Sequence, residues 1–232
     1  AVARFAVRAG DEILVDPAPG APWAVVRAYL LSAVLPASLH QRGWLTLHAS
    51  GVQTAAGAVL FAAPSGSGKS TLLAALLERG FTMMCDDVGA VALEEGRPVV
   101  RPGVPFLRLW DESLRHLGRS VSDLERVVDG VEKYAVPERH RISKASSPLR
   151  MVYILEDGPA IAFSDLDGAT RFRMLQAHCR TRPRIEGEKL TPAHFALSAR
   201  VAAVTRMRRV ERPFDLAQVG ALADRIAEDL RA

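Results

Sequence analysis

Gly66, Gly68, Lys69 and Ser70 fall within the run Ala63-Pro64-Ser65-Gly66-Ser67-Gly68-Lys69-Ser70, and residues of these types at this spacing suit the cradling of a phosphate chain. The glycines let the backbone turn its N–H groups inward. The lysine supplies a point charge for the outer phosphates, and the serine hydroxyl is an oxygen ligand for Mg²⁺. Ser65, Ser67 and Thr71 complete the expected nucleotide-contacting set. The strict pattern has glycine where Ala63 stands, but the Ser-Gly-Ser-Gly-Lys-Ser-Thr core is whole. The flanks agree with it. Ala58-Val59-Leu60-Phe61 reads as a strand and Leu72 to Leu77 as a helix, whose positive end adds to the field on an anion. ATP and Mg²⁺ are the ligands this predicts.

Asp86-Asp87 closes the apolar run Phe81 to Cys85, so both carboxylates should emerge at a strand's C-terminal end, beside the loop. One carboxylate there serves Mg²⁺ and the other takes the proton of an attacking hydroxyl. Spacing does not divide these tasks. Asp87 joins Ser70 on the metal side, and both aspartates enter the catalytic set with His48 and Lys69. Adjacent carboxylates beside a polyphosphate repel it and each other, which itself argues for a metal. His48 ends the apolar Trp44-Leu45-Thr46-Leu47. If that strand neighbours the loop strand, the imidazole lies near the γ-phosphate or steers an aspartate; otherwise it is a structural histidine. Arg108 and Lys133 are further candidates for contacts to phosphate or acceptor.

The elements that must hold these groups read as an α/β chain. Short strands are expected at 3–8 and 12–15, a helix over Trp23 to Leu39, and a hairpin at 90–93 and 97–100. Residues 110–128 read as a polar helix broken at Gly118, 129–148 as an irregular loop, and 151–155 as an apolar strand. Thr191-Pro192 reads as a helix start, and a final amphipathic helix follows Asp215 with Leu216, Val219, Leu222, Ile226 and Leu230 on one face. This gives residues 1–43 as a small hairpin-plus-helix appendage and 44–232 as the nucleotide-binding domain.

The chain has 232 residues, 49% hydrophobic and 24% charged, an ordinary globular balance. The apolar stretch Trp23 to Leu39 contains Arg27 and Pro36 and reads as a buried helix rather than a membrane span. Two isolated cysteines, Cys85 and Cys179, point to reduced thiols and a cytoplasmic setting. Net charge is +4 and the pI about 9.4. Arginines cluster at Arg171, Arg173, Arg180, Arg182 and Arg184, and again from Arg200 to Arg212. With aromatic residues at 6% and no recognition module's spacing, they read as a solvated surface or an attraction for an acidic peptide or protein, and less as a nucleic-acid site.

The order His48, then Ser65-Gly66-Ser67-Gly68-Lys69-Ser70, then Arg79-Gly80 and Asp86-Asp87, resembles the HPr kinase/phosphorylase family over residues 44–93. The resemblance implies a P-loop core of the HPr kinase and phosphoenolpyruvate carboxykinase type. It also implies Mg²⁺-ATP-dependent phosphorylation of a serine on a peptide or small protein. It places His48, Lys69, Asp86 and Asp87 in the catalytic cluster, and it leaves room for a homo-oligomer. The stretch from Arg101 to Trp110 lacks the Glu-x-Arg-Gly-rich signature of the bifunctional members, which argues against phosphorolysis and against HPr as substrate. Pro102-Gly103-Val104-Pro105, Leu107-Arg108-Leu109-Trp110 and Glu132-Lys133-Tyr134 look more like the relatives found beside peptide-maturation enzymes, among them kinases of lasso-peptide precursors. The rival expectations are an HPr-type kinase/phosphorylase, a small-metabolite kinase and a nucleotide-switch ATPase.

Overall fold

The computed structural model describes residues 2–128, 130–180 and 192–231. Arg182, Arg184 and the cap expected at Thr191 lie outside the described residues. The chain opens with β1 (Ala3–Arg8) and β2 (Glu12–Pro17), an antiparallel hairpin. A helical run follows as α1 (Trp23–Tyr29), a π-turn (Leu30–Val34) and α2 (Leu35–Gln41). Next come β3 (Leu45–Leu47), β4 (Ala49–Thr54), β5 (Gly57–Ala62), α3 (Lys69–Glu78), β6 (Thr82–Cys85), β7 (Gly89–Glu94), β8 (Arg97–Arg101) and β9 (Phe106–Trp110). The rest is α4 (Asp111–His116), β10 (Glu125–Arg126), β11 (Lys133–Pro137), β12 (Ser147–Asp157), β13 (Ala162–Asp165), α5 (Gly168–Ala177), α6 (Pro192–Val204), β14 (Arg206–Arg212) and α7 (Val219–Arg231).

The fold is mixed α/β. Its main sheet runs β3-β7-β8-β12-β5-β4-β6, with β14 added alongside β12 and β13 paired to β14. All six residues of β5 are buried, because apolar layers cover both faces of the sheet. Val59 and Phe61 face α3 and α7, where Leu72, Leu76, Leu222 and Ile226 complete one core. Leu60 and Ala62 face the other, with Leu45, Leu47, Leu175 and Val201. Each fully buried Leu, Ile or Phe is worth about 1.5–3 kcal/mol of transfer free energy, so this double-sided burial makes β5 and α3 a stiff mount for the loop between them.

Strand direction gathers the functional residues. β12 runs parallel to both β5 and β14, and β4 runs antiparallel to β5 and β6. The C-terminal ends of β5, β6, β12 and β14 therefore share one edge with the N-terminal end of β4. The glycine-rich loop, Asp86-Asp87, Arg212 and His48 all lie at that edge.

Several elements differ from the sequence reading. The strand beside β5 is β4, not the Trp44–Leu47 run, which forms β3 and pairs with β7. His48 sits at the break between them. The polar Gln53 and Thr54 mask the apolar start of β4. The helix expected over 110–128 is only the six residues of α4. The irregular loop expected over 129–148 contains β11, whose alternation of buried Tyr134 and Val136 is too short to stand out. The run Trp23–Gln41 is a continuous helix, the one among the described residues long and apolar enough to cross a membrane by length and composition. It is only partly buried: Trp23 is 68% exposed, while Val26, Val34 and Pro36 turn inward.

Candidate active site

Gly66 and Gly68 have φ of 85° and 75°, in the left-handed region, with open space where a side chain would be. Gly68 is the N-cap of α3, so the first free N–H groups of that helix face the cradle. The loop forms the middle of a cleft of about 560 Å³. Ser65 to Thr71, His48, Asp87, Arg108 and Lys133 all line it. Asp86 lies behind this lining, 4% exposed.

Asp86 is fully engaged. Its Oδ1 accepts from Ser50 Oγ at 2.6 Å and Ser70 Oγ at 2.8 Å, and its Oδ2 accepts from the backbone N–H of Arg108 at 2.9 Å. The metal pair expected from sequence was Ser70 with Asp87; here the Ser70 hydroxyl donates to Asp86. That bond directs the proton away and leaves the oxygen's lone pairs free for a cation.

Asp87 adopts φ of 68°, a left-handed conformation that aspartate and asparagine tolerate better than most residues. Its Oδ2 accepts from Arg108 Nη1 at 2.7 Å and Arg180 Nη2 at 3.1 Å, and its Oδ1 lies 3.3 Å from His48 Nδ1. Burial pushes this carboxyl up, but the His48 hydrogen bond and the charges of Arg180 and Arg108 outweigh it. They hold Asp87 well below the usual carboxylate range.

Lys69 turns back on the loop, donating to the carbonyls of Ala63 and Pro64 at 2.9 and 2.8 Å, with His48 Nε2 3.0 Å away. An ammonium only donates, so Nε2 must accept and the imidazole proton belongs on Nδ1, toward Asp87. Arg180 Nη1, 3.1 Å from the same Nδ1, is then a close neighbour rather than a donor to it. Burial lowers the Lys69 ammonium to about 8, against the opposing pull of Asp86 and Asp87. Burial lowers Lys133 as well. Lys133 is on β11 rather than in a loop, with its Nζ 5.4 Å from the centre of the Trp110 ring. Thr71 hydrogen-bonds Ser113 of α4 at 2.9 Å.

Two arginines reach this site from far away in the chain. Arg180 follows α5, where the segment returns to β3: His48 N–H donates to the His178 carbonyl, Leu47 bridges Cys179, and Arg180 N–H donates to Thr46. Its Nε donates to the carbonyl of Ser32 at 3.0 Å. Ser32 lies in the π-turn, so Arg180 ties the N-terminal helical run to Asp87. Arg212, at the end of β14, donates to the Ser67 carbonyl at 2.6 Å and stands 5.1 Å from the ring centre of Phe214. Phe214, 66% exposed, closes one arm of the cleft with Leu216, Ile161 and Leu155. The sequence put Arg180 and Arg212 in arginine clusters, and nothing in their local spacing marks them out.

Among the described residues no cluster of three or more His, Cys, Asp or Glu side chains could hold a metal ion. The oxygens of Ser70 and Asp87 suit a hard cation that takes the rest of its shell from phosphates and water, as Mg²⁺ does.

Neither a protein-family model nor a curated protein matches the chain. Among solved structures it is similar to the HPr(Ser) kinase/phosphatase from Coxiella burnetii, with 13% identity, a TM-score of 0.36, and 81% of this chain and 99% of that one covered.

Proposed function

We propose that the chain is a Mg²⁺-ATP-dependent kinase of the HPr kinase type that phosphorylates a serine hydroxyl on a peptide or small protein, of the kind represented by lasso-peptide precursors. The observation that carries this reading is Asp87. It is a carboxylate facing the cleft beside the glycine-rich loop, with His48 and two arginines around it. A carboxylate there can serve Mg²⁺ or take a proton, and the two arginines held beside it suit a phosphoryl group in transfer rather than nucleotide binding alone.

In this reading Lys69 leaves the Ala63 and Pro64 carbonyls for the β- and γ-phosphates. Asp86 holds Ser70 in place for Mg²⁺, which would neutralise phosphate charge and favour departure of the leaving oxygen. Arg108 and Arg180 swing from Asp87 toward the transferring group. Freed of two positive neighbours, Asp87 rises toward an ordinary carboxylate and accepts the serine proton. Phe214 and Leu216 offer the apolar platform for the base, and Arg212 ties that platform to the loop. Positioning and electrostatics supply most of the rate.

The test is incubation with γ-labelled ATP, serine-containing peptides and a small-molecule extract. Label on a peptide or protein serine is expected. Label only on a small molecule, or only as inorganic phosphate, would replace the proposal with one of its rivals.

The Lys69 environment also gives ATP binding a pH dependence. Above about pH 8 the free lysine gives up its proton, while bound triphosphate favours the ammonium. Binding there must take up a proton, so affinity falls as pH rises, by up to about tenfold per unit. Titration calorimetry in buffers of different ionisation enthalpy should show proton uptake well above pH 8 that is absent from the Lys69→Met variant.

A further inference from the structure

Four of the chain's 30 basic residues are lysines, and two of those four, Lys69 and Lys133, line the nucleotide cleft. An ammonium is a compact point charge whose three donors turn freely, so it can follow a phosphate oxygen that changes partner. Lys69 comes from the glycine-rich loop. Lys133 comes from the ribbon of β9 and β11, in which Leu107, Leu109, Tyr134 and Val136 are buried. Arg108, Trp110 and Lys133 therefore share the opposite face. Trp110 pairs with Lys133 across the ribbon and Arg108 with Ala135. Arg108 and Lys133 are thus diagonal neighbours, with backbones roughly 7–8 Å apart.

The other cations of the site are each held by hydrogen bonds. Lys69 donates to two loop carbonyls, Arg108 and Arg180 to Asp87, and Arg212 to the Ser67 carbonyl. Lys133 is different. Among the described residues its ammonium makes no hydrogen bond and no ion pair; its contact is the face of the Trp110 ring. The carboxylate beside it in the chain, Glu132, is taken by Arg126 and Tyr134. Burial lowers the Lys133 ammonium, against the pull of Asp86 and Asp87 and with the push of Arg108 and Arg180. Those four groups surround the position of the transferring phosphate. A cation over a ring is held more weakly than one hydrogen-bonded to a carboxylate, so Lys133 gives up least in turning to a phosphate.

We infer that Lys133 is the clamp for the γ-phosphate of ATP: it leaves the Trp110 ring and donates to the terminal phosphate as the nucleotide binds. The inference rests on the nucleotide-binding part of the proposed function and not on the identity of the acceptor. It also orders the events. Lys133 reaches the bound triphosphate while Arg108 and Arg180 still hold Asp87. It therefore contributes to ATP affinity, and the two arginines contribute to the transfer step. The loop N–H groups serve ADP and ATP alike; Lys133 serves the phosphate that ADP lacks.

The test compares Mg²⁺-bound ADP with the β,γ-imido analogue of ATP, in the wild type and in Lys133→Met, by titration calorimetry. Lys133→Met should weaken the analogue about tenfold, the scale of one charge-assisted hydrogen bond, and ADP by less than about twofold. A second measurement follows Trp110 emission in a Trp23→Phe/Trp44→Phe background, where Trp110 is the remaining tryptophan. An ammonium against the indole alters its emission. The analogue should therefore change the signal, while ADP should not, and neither should in Lys133→Met. Equal weakening of ADP and the analogue, or wild-type affinity for both, overturns the inference. So does an analogue-specific loss with no Trp110 response, since Lys133 would then act through its distant field without leaving the ring. If the wild type binds neither nucleotide, the nucleotide reading falls and this inference with it. If the clamp behaves as expected but no label passes from ATP to any acceptor, Lys133 stands as a γ-phosphate clamp and the kinase reading falls.

Discussion

Lys69→Ala is expected to lose about 10²–10³-fold or more in phosphoryl-transfer rate, the scale on which one preorganised electrostatic group contributes in a water-poor site. The side chain is 6% exposed and its ammonium is already partly desolvated. The protein therefore bears part of the cost of burying the charge before any phosphate arrives. Bound phosphate then meets a cation with little water left to shed. Removing it leaves the Ala63 and Pro64 carbonyls and His48 Nε2 without their donor, but also removes a buried charge. These effects oppose each other, so the melting temperature should change little while transfer collapses. Lys69→Arg should not rescue, because the fork is larger than the space an ammonium fills between two loop carbonyls. A rate within tenfold of wild type for Lys69→Ala would remove the loop from the chemistry.

How much of this could be read in the sequence follows from how local each signal is. The glycine-rich loop was legible because strand, turn and helix are contiguous, and each flank is buried enough to be uniformly apolar. The aspartate pair was legible for the same reason: a carboxylate pair after four buried or half-buried residues has to leave a strand end. The sheet's direction then brings the two segments together, and that depends on β4 lying between them. β4 gave no clear signal, since Ser50, Gly51, Gln53 and Thr54 interrupt any apolar run.

The arginines show the opposite case. Arg212 reads as one basic residue among several, but it is 6% exposed and bonded to the loop. Arg180 is delivered by a bridge to β3, a contact between segments more than a hundred residues apart. No period or spacing encodes such pairings. The alternation in Phe106-Leu107-Arg108-Leu109-Trp110 did carry a two-residue period, and with it the direction of Arg108 into the cleft. Its partner β11 was hidden among charged residues, so the ribbon that the two form had no counterpart in the sequence reading.

Asp87→Asn should separate the two aspartates. If Asp87 accepts the serine proton, the amide cannot, and kcat should fall by about 10²–10⁴-fold, the usual contribution of a positioned base. ATP affinity should hold or improve, because a negative charge beside the triphosphate is gone. The backbone tolerates the change, since asparagine accepts the φ of 68° as readily as aspartate. Arg108 and Arg180 lose their ionic partner, but an amide oxygen can still accept one of their hydrogen bonds, so the fold should survive with a lower melting temperature. Asp86→Asn acts differently. Asp86 accepts from three donors, and an amide nitrogen must face at least one of them. Ser70 is then misdirected, and the main effect should be a raised requirement for Mg²⁺ and ATP. Titrating Mg²⁺ and ATP against both variants reads the difference. A pure kcat loss for Asp87→Asn supports Asp87 as the base. A raised Mg²⁺ requirement there instead would make Asp87 the metal ligand and move the proton to another acceptor. Wild-type turnover by Asp87→Asn would remove the carboxylate from the reaction altogether, and with it the observation on which the kinase reading rests.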